Sequence, residues 1–592
     1  MSRFHLILIL SSWIALDVSG QEGIEFLVNQ HSEDIFQEEY VLINQERNRR
    51  ATITTPPNGS VRPMAEWEEL EAITISWDTY KTALSQIVKH AQKECKVYIN
   101  CPGPASDVKE ELASVGVSYG ENVIFLENQD FNTAWIRDYG PNSAYTNDVD
   151  SLIMVDWIYN RKERAEDDAL PEHIATVLDV PIYETAEGDS RLLATGGNFM
   201  TDGIETGFSS KLVLNENIKK TEEEIDQIMS DFLGVNNYIK FDTLVYDGIH
   251  HIDMHMKLLD EERIIFGEYP EGKGDHDIIE ANIEYLLASQ KNAFGEPYEI
   301  IRIPMPPDLH GEYPGDNGKG SFNTYTNALF INKTILVPTY ESVHNKVYDA
   351  EALRIWREAM PGYNIVGINS NALIRAYGAI HCITKEIGAK DPIRIVFQRI
   401  KDQDELQPEG YPLIAKVQHR FGIDQVNLYY REKGSTEYDF VEMDLFDKEE
   451  QLYEAAIPSF IDHGTVEYYV QAIAKSGKRM QRPQPAPVAY CDFDVTLKTS
   501  VADVQQDIFK QNAFPNPSNH LVCIPVNLTS RIIGDLSLID IHGRIVETIH
   551  SGSFPSGDTK YFTNVSRYPT GVYTLRFSSQ HGVNSQKLVV KN

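Results

Sequence analysis

The sequence predicts a radially closed α/β domain followed by two all-β modules. A pattern of hairpin, helix and strand recurs between about residues 62 and 390. From about residue 391 to 497, short alternating strands follow one another with no helical periodicity, and the last 80 or so residues again show only strand patterns. Repeats of this kind predict closure of the units around an axis rather than an open sheet.

The first predicted elements are a helix and two strands. Residues 80–94 form an amphipathic helix, because Leu84, Ile87, Val88 and Ala91 follow the i, i+3, i+4, i+7 spacing. Strands are predicted at residues 96–100 and 122–126.

Four copies of the larger unit follow. In the first copy a hairpin at 143–157 is followed by a helix at 172–178 and a strand at 182–184. The hairpin, helix and strand lie at 198–214, 222–232 and 238–245 in the second copy, and at 251–267, 278–289 and 298–303 in the third. In the fourth copy they lie at 327–337, 347–360 and 364–368. A last strand at 380–386 needs the N-terminal helix and strands to complete a fifth unit.

The chain of 592 residues then divides into five segments. These are a signal peptide (1–20), a leader or linker (21–60), the α/β domain (61–390), a small β-sandwich (391–497), and a linker with a C-terminal all-β domain (498–592). The signal peptide prediction rests on Arg3, on an apolar run made of residues 6–10 and 13–16, and on the small residues Val18-Ser19-Gly20 before Gln21. That run is shorter than the ~20 apolar residues of a membrane span, so we expect an exported chain without a membrane span.

Composition excludes several classes of protein. Lys and Arg number 53 and Asp and Glu 88, a formal net charge of −35, which argues against nucleic-acid binding. Five cysteines are too few for a disulfide scaffold, and their odd number leaves at least one thiol free. Cys95 and Cys101 flank a predicted strand that holds them about 20 Å apart, beyond disulfide reach.

Polar motifs occur at or near the start of each predicted hairpin. If the units surround an axis, equivalent ends converge, and function-bearing residues collect at such mouths. The motifs are Trp135-Ile136-Arg137-Asp138-Tyr139-Gly140-Pro141, Thr195-Gly196-Gly197-Asn198, His251-Ile252-Asp253, Thr326-Asn327 and Gly378-Ala379-Ile380-His381-Cys382.

Residues 251–255 admit three interpretations. On a strand, His251, Asp253 and His255 share one face. They are a structural histidine with an ion pair, a zinc or iron site formed by His251, Asp253 and His255, or an acid–base histidine beside a carboxylate that binds a cation. The third agrees with Cys382, a lone thiol that is either a nucleophile or an inert core cysteine.

A thiol, a histidine and two carboxylates suit a planar, permanent cation with several N–H donors. Guanidinium fits this description, because carboxylates grip it bidentately and proteins do not deprotonate it. Neutralising its charge also makes its central carbon approachable by a nucleophile.

These residues resemble the guanidino-group-modifying enzymes, specifically the bacterial (porphyromonad-type) peptidylarginine deiminases and their agmatine deiminase relatives. The resemblance runs from about residue 64 to 388. It includes Ala65-Glu66-Trp67-Glu68, the Trp135–Pro141 motif, Gly196-Gly197-Asn198, His251-Ile252-Asp253, Thr326-Asn327 and His381-Cys382. It implies a five-unit pseudo-symmetric α/β propeller, which agrees with the repeat.

The resemblance also implies roles. Cys382 is the nucleophile, His251 the general acid and base, Asp138 and Asp253 hold the guanidinium, Asn327 positions the nucleophile, and Trp135 walls the slot. A covalent amidino-thioether on Cys382 is then hydrolysed to a ureido product, and neither a metal nor another cofactor is expected. The acidic surface offers carboxylates for structural calcium, but no EF-hand-like loop indicates a calcium site.

Substrate choice depends on residues at the rim of the site. The peptide-specific members grip a C-terminal carboxylate with two arginines after Tyr-Asn. Here Tyr159-Asn160-Arg161 matches, Arg164 follows after one extra residue, and Gly248 stands where those members carry tyrosine. We expect peptidyl or free arginine, without strict C-terminal specificity, and agmatine as the alternative.

The β modules also resemble known domains. The sandwich resembles the immunoglobulin-like domain that follows the catalytic domain in secreted deiminases. The C-terminal module resembles the sorting domain of type IX secretion cargo, through Phe514-Pro515-Asn516-Pro517, Gly571-Val572-Tyr573 and the end of the chain from Lys587 to Lys591. The expected partners are therefore an arginine-bearing peptide or small guanidino substrate and the secretion machinery, and the expected location is secreted or cell-surface. A metallohydrolase and a surface protein with a decayed site are the competing hypotheses.

Overall fold

The computed structural model describes residues 53–592, apart from 317–319, 343–344, 406, 462, 497–508, 510–511, 529–530 and 580–581. The predicted signal peptide and nearly all of the predicted leader lie outside the described residues and stay predictions. The described chain divides into two compact units. The first comprises its residues up to Ile400 together with Glu409–Pro458 and Val466–Asp492, and the second comprises Lys401–Pro408, Ser459–Thr465 and Phe493–Asn592.

Five small sheets form the α/β part of the first unit. In four of them an antiparallel hairpin is followed by a helix and by a strand that pairs in parallel with the second hairpin strand, as the repeat predicts. The first sheet has strands Val61–Pro63, Asn142–Thr146, Ser151–Asp156 and Ile182–Glu184, with helix Ala165–Leu178, and the second has strands Met200–Thr201, Thr206–Ser210 and Asn237–Phe241, with helix Glu222–Leu233. The third sheet has strands Met256–Leu258, Arg263–Glu268 and Glu299–Pro304, with helix His276–Ser289. The fourth has strands Leu329–Ile331, Thr334–Thr339 and Asn364–Asn369, with helix Lys346–Ala359.

The fifth sheet joins the two ends of this region. Strand Lys385–Gly388 pairs antiparallel with Leu70–Ser76, which continues in parallel through Lys96–Asn100 to Val123–Leu126. The prediction that the N-terminal strands complete a fifth unit is therefore confirmed. Helix Lys81–Ala91 lies where the periodicity predicts it, whereas a second helix, Ala105–Ser114, was not predicted.

Short elements carry the polar motifs. Four of the motifs lie on the α-helical turn Ile136–Tyr139 and the 3-10 turns Gly196–Asn198, Ile252–Met254 and His381–Ile383. The other short elements of this region are the α-helical turns Leu212–Glu216 and Asn371–Ile374, the 3-10 turn Gly188–Ser190, and the paired strands Ile158–Tyr159 and Leu193–Ala194.

Helix Glu222–Leu233 illustrates how local sequence sets these elements. Thr221 and Glu224 form a capping box, in which each side chain bonds the other residue's backbone N–H. Ile225 and Phe232 are buried on its inner face. The helix ends at Gly234, whose φ of +73° favours glycine and whose absent Cβ leaves room for the carbonyl oxygen of Val61.

The rest of the described chain is all-β, as predicted. The sandwich region contains the sheet Arg394–Phe397, Tyr411–Gln418, Leu452–Ile457 and Asp444–Asp447, and the sheet Asp439–Glu442, Ile423–Glu432, His463–Ala474 and Arg479–Arg482, followed by strand Cys491–Thr496. The C-terminal module pairs Leu521–Leu528 with Gly557–Asn564, has the sheet Ile545–Phe554, Ile532–Ile539, Gly571–Ser579 and Gly582–Val590, and adds the 3-10 turn Val565–Arg567.

Two further observations bear on the sequence predictions. All five cysteines are buried and free. Within the described part of the chain, no helix combines the length and the apolar character needed to cross a membrane.

Candidate active site

Cys382 lies in the 3-10 turn His381–Ile383, just before strand Lys385–Gly388. Its side chain is buried, and its Sγ lies 3.2 Å from Nδ2 of Asn327 and 3.7 Å from Oδ2 of Asp253. Burial first, and then the charges of Asp253 and Asp138, raise the pKa of the Cys382 thiol well above its ordinary value. In the structure as it stands, Cys382 is therefore a thiol beside two carboxyl groups.

Asn327 ties the nucleophile candidate to its surroundings. Its Oδ1 accepts a hydrogen bond from the backbone N–H of His381 at 3.0 Å, while its Nδ2 faces Cys382. The side chain is completely buried and precedes strand Leu329–Ile331. Asn327 thus connects the loop of one sheet to the turn that carries Cys382.

Asp138 and His251 face each other across the site. Oδ1 of Asp138 lies 3.6 Å from Nδ1 of His251, and neither atom has a hydrogen-bond partner although both are buried. Burial, reinforced by the charge of Asp253, raises the pKa of Asp138 to about 7, and burial lowers the pKa of His251 to about 4. Gly197 permits this approach, because a Cβ at that position would lie 2.4 Å from Nδ1 of His251.

Asp253 has one oxygen held and one free. Its Oδ2 accepts a hydrogen bond from Nδ1 of His381 at 2.8 Å, while its Oδ1 is buried and unpartnered. The predicted strand through His251 and Asp253 is wrong, because residues Ile252–Met254 form a 3-10 turn and the hairpin begins only at Met256. The turn nevertheless brings both side chains to the site, since the charge of Asp253 acts on the pKa of His251.

Trp135 and Cys382 flank the same glycine. A Cβ on Gly378 would lie 2.3 Å from the Trp135 ring and 3.2 Å from Cβ of Cys382. The Trp135 ring also contacts Tyr80, with 5.2 Å between ring centroids. Trp135 therefore forms an aromatic wall next to the thiol.

Arg161 and Arg164 lie close enough to act on the site through their charges. Both lower the pKa of Asp138 against the effect of burial, and Arg161 also lowers the pKa of His251. Arg164 donates a hydrogen bond from Nη1 to the hydroxyl of Tyr159 at 2.9 Å. The rim beside Asp138 is consequently cationic.

Gly248, the position noted in the sequence as departing from the peptide-specific members, contacts an aromatic ring supplied from elsewhere. A Cβ on Gly248 would lie 3.4 Å from Cε1 of Tyr377, which precedes Cys382 by five residues. Tyr377 adopts a left-handed φ of 62° and is half exposed. The rim therefore carries a tyrosine from the loop of Cys382.

The alternative metal set is not assembled as ligands. Among the described residues, only Glu66, His381 and Glu386 bring three His, Cys, Asp or Glu ligand atoms within 4.8 Å of one another, and His251, Asp253 and His255 do not. The three that do meet are already engaged, Glu66 with Lys257, His381 with Asp253 and Glu386 with Arg137. The geometry thus favours the acid–base interpretation of His251 over a metal site.

The sequence reasoning missed the layer of charged residues behind the site. Nε2 of His381 lies 3.0 Å from Oε1 of Glu66, which is 315 residues away in the chain. Arg137 donates from Nε to the backbone carbonyl of His381 at 3.2 Å. All three residues occur in the motifs quoted from the sequence, so their motif membership was the available signal, whereas their pairing needed the fold.

Three buried polar atoms without partners therefore converge beside a thiol: Oδ1 of Asp138, Oδ1 of Asp253 and Nδ1 of His251. Unpartnered buried polar atoms are costly and mark a place where a ligand completes the hydrogen bonds. Two carboxyl oxygens suit a planar cation with N–H donors, and Nδ1 of His251 is placed where it can exchange a proton with such a ligand.

The chain is similar to known proteins over its α/β region and over its C-terminal module. The family model described as Porphyromonas-type peptidyl-arginine deiminase matches residues 62–387, more than half of the chain, and a secretion system C-terminal sorting domain matches residues 512–591. The Vibrio parahaemolyticus protein named "Putative agmatine deiminase" is 23% identical over 368 residues, covering 57% of this chain and 99% of that protein. A Legionella pneumophila protein of the same name is 26% identical over 360 residues, covering 56% and 97%.

A solved structure supports the fold. An X-ray structure described as a "putative agmatine deiminase" superposes with a TM-score of 0.50 at 21% identity, covering 58% of this chain and 99% of the other. At this level of identity the likeness shows that the α/β domain shares its fold.

Proposed function

Since the chain belongs to the Porphyromonas-type peptidyl-arginine deiminase family and carries a secretion system C-terminal sorting domain, we propose that it is an exported hydrolase that converts peptidyl or free arginine to citrulline and ammonia. The observation that carries the proposal is the convergence of the unpartnered oxygens of Asp138 and Asp253 beside the thiol of Cys382. A guanidinium placed there pairs with both carboxylates and presents its central carbon to sulfur.

Binding of the cation also changes the protonation states of Asp138 and Cys382. Without a ligand, the pKa of Asp138 stands at about 7 and that of the Cys382 thiol is raised well above its ordinary value. A guanidinium between the carboxylates lowers both, because a nearby positive charge favours the anionic forms. The substrate therefore helps to generate its own carboxylate pair and thiolate.

The chemical steps follow from this arrangement. The neutral His251 takes the proton of the Cys382 thiol as the sulfur attacks the guanidinium carbon and forms a C–S bond. His251 then gives that proton to the departing nitrogen, the C–N bond breaks, and the nitrogen leaves as ammonia. The remaining covalent amidino-thioether is attacked by water, from which His251 takes a proton. The C–S bond then breaks, and the ureido product leaves with the thiol restored.

The charge of the rim supports arginine over agmatine. Arg161 and Arg164 attract a carboxylate or a peptide carbonyl near the slot and repel the terminal ammonium of agmatine. Agmatine stays the second candidate, because the relatives reported above bear the name of agmatine deiminases.

The finer architecture belongs to the same proposal. Five sheets with one repeated connection, in which the last strand pairs with the first sheet, support a five-unit α/β propeller. The two sheets after it support an immunoglobulin-like sandwich within limits 391–497, and the sorting domain supports type IX export after removal of the signal peptide at 1–20.

A product assay tests the function. The purified chain is incubated separately with a peptide holding internal arginine, a peptide ending in arginine, free arginine and agmatine, and ureido product and ammonia are both quantified. We expect equal amounts of the two products from the arginine substrates, in the presence of a metal chelator. Turnover of none of the four substrates contradicts deimination, and turnover of agmatine alone assigns the second candidate.

A further inference from the structure

His381, the residue before the thiol, bridges two carboxylates from distant parts of the chain. Its Nδ1 lies 2.8 Å from Oδ2 of Asp253 and its Nε2 lies 3.0 Å from Oε1 of Glu66. We propose that His381 is a positioning residue, held between Glu66 and Asp253 as a doubly hydrogen-bonded imidazolium, and that it keeps Asp253 oriented and ionised for a cationic substrate. This inference rests on the proposed function and assigns roles to Glu66 and His381.

The protonation state follows from the hydrogen bonds. An ionised carboxylate only accepts hydrogen bonds, so both ring nitrogens must donate when both acids are ionised, and the ring then carries a positive charge. Although burial opposes ionisation, the pKa values of Glu66 and Asp253 are both held below their ordinary values, by His381 and also by Lys257, whose charge does not depend on the ring.

The geometry separates the two oxygens of Asp253. Oδ2 is committed to His381, which fixes the plane of the carboxylate, and Oδ1 is left buried, unpartnered and available to a ligand. His381 itself cannot swing away, because both ring nitrogens are engaged and its backbone N–H is bonded to Asn327. The ring therefore transmits the position of Glu66 to the substrate-facing oxygen.

Glu66 is anchored in turn. Its Oε2 pairs with the ammonium of Lys257, whose side chain is 1% exposed, and the side chain of Glu66 is 15% exposed. Glu386, paired with Arg137 at 2.7 Å, lies 3.8 Å from Nε2 of His381. Buried ion pairs of this kind orient groups precisely, and loss of one member leaves its partner uncompensated.

The charges around His381 and Asp253 are nearly balanced. The titratable and charged groups that face this pair are Glu66, Glu386, Asp138, Asp247, Cys382, His251, His255, Lys257, Arg137 and Lys385. Neutralising Glu66 removes the anion that favours the imidazolium. Asp253 then has a weaker cation beside it, so its pKa rises and the hydrogen bond from His381 that orients its carboxylate is weakened.

The test uses two electrophiles of similar shape, of which one is cationic and the other neutral. Cationic 2-chloroacetamidine and neutral 2-chloroacetamide are reacted with the thiol, and the rate of Cys382 modification is followed by mass spectrometry in wild type, Glu66→Gln and His381→Asn. We expect the amidine-to-amide rate ratio to fall about tenfold in Glu66→Gln and further in His381→Asn, because Oδ1 of Asp253 is then no longer held in place for the cation.

Glu68→Gln is the matched control. Glu68 lies two residues along the same loop and forms its own ion pair with buried Arg62 at 2.7 Å, without contacting His381. Its substitution is expected to leave the rate ratio near that of wild type, with folding of all variants compared by thermal unfolding.

Two results overturn the positioning role. One is a ratio within twofold of wild type in both Glu66→Gln and His381→Asn. The other is an equal fall of the amidine and amide rates in Glu66→Gln and His381→Asn that also occurs in Glu68→Gln. Such a result is expected if these residues have only a structural role. A wild-type chain with no preference for the amidine instead contradicts the proposed function, because the carboxylate pair then binds no cation.

Discussion

Oδ1 of Asp138 and Nδ1 of His251 lie 3.6 Å apart in a buried site, and neither atom has a hydrogen-bond partner. Such an arrangement is stable only at a cost, and a ligand that bonds both atoms recovers it. Both groups favour their neutral forms, because the pKa of Asp138 is raised to about 7 and that of His251 is lowered to about 4.

The first prediction follows from Asp138. Its raised pKa means that the free carboxyl is mostly protonated at pH 6, whereas a bound guanidinium requires the carboxylate, so binding should release close to one proton at pH 6 and few at pH 8.5. Calorimetry of arginine binding to the Cys382→Ser variant, in two buffers of different ionisation enthalpy, measures this. An affinity that stays flat between pH 6 and 8, or proton uptake, would be incompatible with the assignment.

The second prediction concerns the room at Gly197. A Cβ there would lie 2.4 Å from Nδ1 of His251 and 3.0 Å from Oδ1 of Asp138. Gly197→Ala should therefore displace the side chains of His251 and Asp138 and lower kcat/KM about 100-fold. Gly103→Ala is the control, because a Cβ at Gly103 meets nothing within 4 Å. Near-normal turnover by Gly197→Ala, measured as citrulline release, would show that this approach is not needed.

The third prediction concerns substrate choice. Removing the charge of Arg161 should lower kcat/KM for arginine substrates about tenfold and should leave agmatine unchanged or improved, because the rim then repels its ammonium less. Arg161→Gln is compared with Lys162→Gln, whose side chain is exposed one residue further on. If Arg161→Gln weakens both substrates in the same proportion, the arginine does not select between them.

The fourth prediction is one of stability. Arg137 pairs with Glu386 at 2.7 Å, with both side chains at most 4% exposed, so Arg137→Met leaves a buried carboxylate uncompensated and should lower the free energy of unfolding by about 3–5 kcal/mol. Denaturant unfolding followed by tryptophan fluorescence checks it. Arg354→Met, which removes exposed pairs with Glu351 and Glu358, is expected to keep the wild-type midpoint, and equal midpoints for the two variants would contradict the argument.

Much of the fold was predictable because hydrophobic periodicity decides which segments are helices and strands. The turn at Asn332 and Lys333, for instance, lies between the strands that the pattern indicates. The strand predicted at His251 was wrong, because residues Ile252–Met254 form a 3-10 turn. The side chains of this polar segment face a buried site, so the segment does not follow the alternation of apolar and polar residues that indicates a strand. Domain limits and the signal peptide stay predictions.

The candidate site was predictable only in its inner residues. Asp138, Asp253, Asn327 and Cys382 each start an equivalent unit, so closure of the units brings them together. The pairing of Glu66 with His381 depends on the path of a loop that joins strands of different sheets, and no spacing in the sequence encodes a contact across 315 residues.

Trapping the covalent intermediate tests nucleophilic catalysis by Cys382. The chain is mixed with an arginine peptide, quenched in acid within one turnover and digested, and the fragment that holds Cys382 is weighed by mass spectrometry. Nucleophilic attack by Cys382 should leave an adduct on this residue with the mass of the substrate less one ammonia, and Cys382→Ser should form no product. Citrulline formation by Cys382→Ser at a rate comparable to wild type would contradict it.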